Sequence, residues 1–193
     1  MALVGCGPST SAPNEPAVAS VVLALEAAED EGDASPEQLE VLRRALAEGR
    51  EITEQEYRSA YAIAVDCVRD AGVNVISIDE VYDAGNLQLY MTVNGREEDE
   101  DFMFTSMGIC EHRHSTYLDL ARRLSAKAAA TKEALINQYL PAMLACVRSK
   151  GARLPDDATY DEIVAQDPDL TSGSDPGKTC ISTTGLQDAL DSP

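Results

Sequence analysis

The two histidines of the chain fall in one tetrapeptide, Glu111-His112-Arg113-His114. Two imidazoles beside a carboxylate form a donor set suited to zinc or copper. The spacing works against that use. On a helix, residues two apart point to different sides, so His112 and His114 share an ion only in an extended segment. Apolar residues recur at helical spacing after them, so the tetrapeptide reads as the polar start of a helix. Glu111, His112 and His114 are therefore weak metal candidates, and no cofactor is expected.

Other stretches imitate chemistry without completing it. Ser172-Gly173-Ser174-Asp175-Pro176-Gly177-Lys178-Thr179 ends like a phosphate loop. Such a loop needs one more residue between its glycines, a strand before it and a helix after it whose amides face the phosphate. Here Gly173 stands too close and Pro176 precedes Gly177, so a plain loop is expected. The acidic run Glu97 to Asp101 lacks the Asp-x-Asp-x-Asp-Gly pattern and closing Glu of a calcium loop, and reads as a solvated loop. The sequence holds no Gly-x-Ser-x-Gly elbow, His-Glu-x-x-His pair or dinucleotide fingerprint. No catalytic residue is nominated. Paired carboxylates that hydrolyse glycosides leave no sequence mark, and an envelope hydrolase of that kind is one alternative.

Cysteines say more. Cys67-Val68-Arg69 with Gly72 is echoed by Cys146-Val147-Arg148 with Gly151, and each copy is followed downstream by one further cysteine, Cys110 and Cys180. Four cysteines permit three pairings. The echo selects Cys67 with Cys110 and Cys146 with Cys180, each tying a helix end to a later segment. Closing loops of this size is worth roughly 3 to 4 kcal/mol apiece in the chain-entropy treatment. Cys-x-x-Cys spacing is absent, which leaves a structural zinc site or redox dithiol without support. The competing reading is a cytoplasmic helical protein with four reduced, buried thiols.

Cys6 is the odd one of five. Leu3-Val4-Gly5-Cys6 looks like a lipobox, in which a signal peptide is cut before the cysteine and the thiol is acylated. The polar stretch Gly7 to Pro16 then serves as a tether. Five residues precede Cys6, fewer than the basic start and apolar segment an export signal needs, so a truncated start is expected.

Composition narrows the class. A formal charge of −19, from 15 basic and 34 acidic side chains, repels phosphate backbones and anionic headgroups, so no nucleic-acid partner is expected. With no Trp and two Phe beside abundant Ala, Val and Leu, helices are favoured over a β-sandwich. No apolar run approaches the roughly 18 residues of a membrane span. Membrane contact is expected only through the lipid on Cys6.

The elements follow from periodicity and caps. A first helix spans about Glu15 to Glu29. Ser35, Pro36 and Gln38 form a capping box that starts a second, running to about Glu48 with Leu39, Leu42 and Leu46 inward. Thr53 and Glu56 repeat the box and start a third, with Tyr57, Ala60, Tyr61, Ala64, Cys67, Val68 and Ala71 inward and Gly72 at its end. Val73 to Ile78 and Leu87 to Val93 pair as a hairpin across Asp83 to Asn86. Phe102, Phe104 and Met107 return to the core. A fourth helix runs from about Cys110 to Ala126 and is interrupted near Ala128 to Thr131. A fifth starts at about Thr131, is kinked or restarted by Pro141, and is closed by Gly151. A short helix at Thr159 to Ala165, a loop from Asp167 to Thr179 pinned by Cys180, and a last turn at Leu186 to Leu190 complete the chain.

The lipobox, the start Ile-Thr-x-x-Glu-Tyr-x-x-Ala (Ile52, Thr53, Glu56, Tyr57, Ala60), the ending Asp-Cys-Val-Arg-x-Ala-Gly (Asp66 to Gly72) and a downstream Cys followed by Tyr (Cys110, Tyr117) resemble small lipoproteins and secreted proteins of high-GC Gram-positive (actinobacterial) bacteria. The resemblance covers roughly Leu46 to Tyr117. It implies an extracytoplasmic disulfide, and a location more than an activity, since members are mostly of unknown function. The expectation is a mainly α chain with a small β-hairpin (α+β): residues 1–16 a lipobox remnant and tether, residues 17–193 one disulfide-stapled domain with half-repeats at about 50–117 and 131–186. Its place is the outer face of the cell membrane, and its partner an unknown envelope protein or small molecule.

Overall fold

The computed structural model describes residues 15–171 and 178–192. Cys6 and most of the Gly-Lys-Thr loop lie outside them. The chain is mainly helical with one antiparallel hairpin, and its described elements gather around two apolar cores, each crossed by one disulfide.

The first core takes α1 (Glu15–Glu31), α2 (Pro36–Glu48), α3 (Glu54–Asp70), β1 (Asn74–Asp83), β2 (Asn86–Asn94), α4 (Glu100–His114) and α5 (Thr116–Arg123). Ser35 caps α2 by accepting the Gln38 amide, and Pro36 occupies the first turn, where its missing N–H is not needed. Only half of the expected box forms: the Gln38 side chain turns inward, and Gln38, Leu42 and Ala45 are buried while Leu39 and Leu46 are half-covered. On α3 both halves of the Thr53–Glu56 box are made. Tyr57, Ala60, Tyr61, Ala64, Val65 and Val68 face the core. Ala71, expected inward, is exposed because it already caps the helix end.

The hairpin is longer than alternation suggested. It turns on Ala84 and Gly85, both at positive φ (50° and 74°), the left-handed pair that matches the twist of the flanking strands. A bulge between Val75 and Ser77 shifts the alternation, so that Ile78 and Tyr82 pair with Met91 and Leu87; Val75 and Tyr82 pack against the core, whereas Ile78 stays 43% exposed. Leu87, Leu89 and Met91 supply the buried side.

Phe102 and Phe104 do not return to the core; they are 55% and 58% exposed. The chain there is already helical, since the acidic run Glu97 to Asp101 forms a 3-10 turn and the first turn of α4 rather than a loop. Carboxylates suit a helix N-terminus. Once helical, Met103, Met107 and Cys110 share the inward side, and the two phenylalanines fall on its flanks.

Helix boundaries also differ near residue 115. The break lies at Ser115, between α4 and α5, and α6 (Ala126–Ser149) then runs without the interruption expected at Ala128 to Thr131, because Ser125 caps it by accepting the Ala128 amide. It continues through Pro141. Asn137 and Pro141 are both exposed, so water can take the carbonyl that the proline leaves unbonded.

The C-terminal half of α6 builds the second core with α7 (Tyr160–Ala165), α9 (Cys180–Thr183) and α10 (Leu186–Leu190); α8 (Pro168–Thr171) is a single turn. Met143, Val147, Ile163 and Leu186 are its buried centre. The hairpin tip enters this core: Ala84 is buried there and its N–H donates to the Leu190 carbonyl. Each disulfide has its own core. Cys67 joins Cys110 at a Cα separation of 5.7 Å, and Cys146 joins Cys180 at 5.8 Å.

Candidate functional site

The surroundings of the tetrapeptide Glu111 to His114 are fixed by one buried amide. Gln38, 1% exposed, donates from Nε2 to the carbonyls of His112 (3.1 Å) and Arg113 (2.8 Å), while its Oε1 accepts the Tyr117 amide at 2.9 Å. The last carbonyls of α4 and the first amides of α5 have no partners within their own helices. A single side chain on α2 thus serves both ends of the break, and the Ser35 amide adds a bond to Arg113 O at 2.7 Å.

Held this way, α4 sends its candidate ligands in three directions. Glu111 turns to α3, where the Tyr61 hydroxyl donates to its Oε1 at 3.0 Å. His114 lies in the groove between α2 and α3 beside Glu37 and Ile63, and its Nδ1 is buried without a hydrogen-bond partner among the described residues. Burial lowers its pKa. The three do not assemble into a metal site.

His112 turns instead to the α1–α2 connection. Its Nε2 lies 2.8 Å from Glu31 Oε2, 3.2 Å from Asp33 Oδ2 and 2.9 Å from the Tyr117 hydroxyl, which also donates to Asp33 Oδ1 at 2.9 Å. Gly32, at φ +73°, makes the left-handed turn that leaves Glu31 and Asp33 on the same side of the helix end. The cluster opens into a shallow cleft of about 650 Å³ lined also by Pro36, Gly108 and Ile109. Burial and the adjoining Asp33 carboxylate raise the Tyr117 phenol's pKa.

A second cleft, of about 240 Å³, lies between α3, β2 and α5, and is lined by Tyr57, Tyr61, Tyr90, Glu111, Asp119 and Arg123. Burial pushes the Glu111 carboxyl up, the Tyr61 hydrogen bond holding it back in part and Asp119 adding to the rise. Asp119 is likewise pushed up by burial, against the pull of Arg123 and Arg122. Its Oδ2 pairs with Arg123 at 2.8 Å, and Oδ1 is buried without a partner among the described residues. Tyr57 forms the floor, its phenol pushed up to about 12 by burial and Asp119, with the Arg122 guanidinium 4.7 Å above its ring. Two neighbouring carboxyls biased toward their protonated forms can donate as well as accept hydrogen bonds.

Glu31, Asp33, Tyr61, Tyr117 and Asp119 were not among the expected site residues. The first two sit at a helix end whose carboxylates look like ordinary solubilising charge. Tyr61 and Tyr117 stand at inward helical positions, where core packing explains them without function.

No protein family, no curated protein and no solved structure matches this chain. The two disulfides point to an oxidising, extracytoplasmic environment. Among the described residues no helix is long and apolar enough to cross a membrane.

Proposed function

We propose that the protein is a binding module of the cell envelope, anchored at the outer face of the membrane by a lipid on Cys6 and presenting the tyrosine-lined cleft to an envelope protein or small molecule. The observation that carries this reading is the disulfide in each core, since thiol pairs are kept reduced in the cytoplasm. The cleft supports a binding role: the half-exposed Tyr90 offers a flat amphipathic surface beside the edges of the buried Tyr57 and Tyr61, and Glu111 and Asp119 suit a ligand rich in hydroxyl or ammonium groups. Expressed from its own locus, the protein should fractionate with membranes, and C6S should release it. Four alkylatable thiols at Cys67, Cys110, Cys146 and Cys180 without reductant, or unchanged fractionation of C6S, would overturn the reading.

One observation favours a hydrolase working on envelope glycans: Glu111 and Asp119 share a cleft and are both raised. Turnover of an envelope polysaccharide that both E111Q and D119N abolish, with folding intact, would establish it. Turnover retained by both variants rejects it.

A further inference from the structure

We propose that Glu31, Asp33 and His112 form a binding site for a divalent transition-metal ion, with Tyr117 as an adjoining donor. The site goes beyond the binding reading above and does not depend on the anchor or on the tyrosine cleft.

The argument begins at His112 Nε2. Three oxygens surround that one nitrogen, from Glu31 at 2.8 Å, Asp33 at 3.2 Å and Tyr117 at 2.9 Å. An imidazole nitrogen carries at most one proton, so it cannot make three good hydrogen bonds at once. A metal ion can satisfy such a convergence. Zinc binds imidazole and carboxylate at about 2.0 to 2.2 Å, which puts ligand atoms of a tetrahedral shell about 3.3 Å apart. The Glu31 and Asp33 oxygens stand 2.8 and 3.2 Å from the imidazole nitrogen, all three ligand atoms lie within 4.8 Å of one another, and the two carboxylates are half-exposed, so the side-chain rotations that adjust this spacing cost little packing.

A second feature points the same way. Glu31 ends α1, and His112 sits in the last turn of α4, so the negative ends of two long helix dipoles meet at the cluster. Two carboxylates and two helix C-termini favour a cation, while the imidazole favours a transition metal over calcium or magnesium, which prefer all-oxygen shells. The position is also held in place: Gln38 grips the His112 carbonyl from below, and the Tyr117 ring packs edge-on against the imidazole at 5.1 Å between centroids. Three protein ligands in an open cleft leave room for water or a ligand atom on the ion.

The test uses the oxidised full chain, free of any affinity tag, titrated with zinc chloride by calorimetry and with cobalt(II) followed by its visible absorption. One zinc ion per chain, a cobalt spectrum of low coordination number and a zinc-dependent rise in melting temperature are expected. H112A should lose all three signals, and E31Q and D33N should each weaken binding, whereas H114A should bind as the wild type does. The carboxylate variants alter exposed side chains and keep the test valid even if H112A folds poorly. Absence of saturable binding, or binding that survives E31Q and D33N, overturns the site. A C6S protein gives the same metal result, so failure here and failure of the anchor are told apart.

Discussion

Gln38 reads in the sequence as a capping residue and in the structure as the bolt of the α4–α5 break. Replacing it with alanine takes this partner from the His112 carbonyl and from the buried Tyr117 amide, while the Arg113 carbonyl keeps the Ser35 amide, so Q38A should cost about 3 kcal/mol in urea unfolding. Glu111 carries a different kind of information. Its folded pKa lies above the unfolded value, so its contribution is favourable below about pH 4.5 and is lost as pH rises and the buried carboxyl ionises. E111Q, which keeps an acceptor for Tyr61, should therefore melt higher than the wild type at pH 7, with the difference closing near pH 4. An E111Q protein less stable at pH 7 would show that the charge is welcome in its cleft.

At the level of elements, capping was the most legible signal. Thr53 and Glu56 both form their box, and Glu56 also takes Arg50 through two contacts of 2.8 Å and Arg44 through one of 3.2 Å. Burial pushes this carboxyl up, but Arg50, Thr53 and Arg44 together outweigh it and hold it down at about 2. The sign is opposite to that of Glu111. The stabilisation from Glu56 is complete above about pH 4.5 and fades as pH falls toward 2. The stability gap between wild type and E56Q, followed by urea unfolding from pH 7 downward, should narrow over that window. Helix α4 was the least legible element. Its apolar residues spread around the axis, so nothing in its periodicity says that Met103 and Met107 face inward and Phe102 and Phe104 do not. That choice follows from Cys110, which the bond to Cys67 holds against α3.

For the molecule as a whole, two cores imply two degrees of dependence on sulfur. Each bridge closes a loop, of 43 and 34 residues in sequence separation, worth close to 4 kcal/mol in the chain-entropy treatment. The second core is the smaller, made largely of short helices, so C146S/C180S should cost it most of its cooperative stability. Amide exchange should speed up at Val147, Ile163 and Leu186 while Val68 and Leu118 stay protected. Equal loss of protection in both cores would mean that the hairpin tip at Ala84 couples them into one cooperative unit.

Local rules reached far from residue types alone: the helical class, the Ser35 and Thr53 caps, the hairpin and, through the Cys-Val-Arg echo, which cysteines meet. Those features depend on backbone hydrogen bonds and short spacings, which residue types encode directly. The neighbours of each functional side chain were set by folding alone. Glu111, His112 and His114 are adjacent in sequence yet face Tyr61, Glu31 with Asp33, and the α2–α3 groove. The physical reason is geometric: a helix turns successive side chains about 100° apart. What each one meets is then set by the packing of elements far away in the chain, here fixed by a buried glutamine and a disulfide.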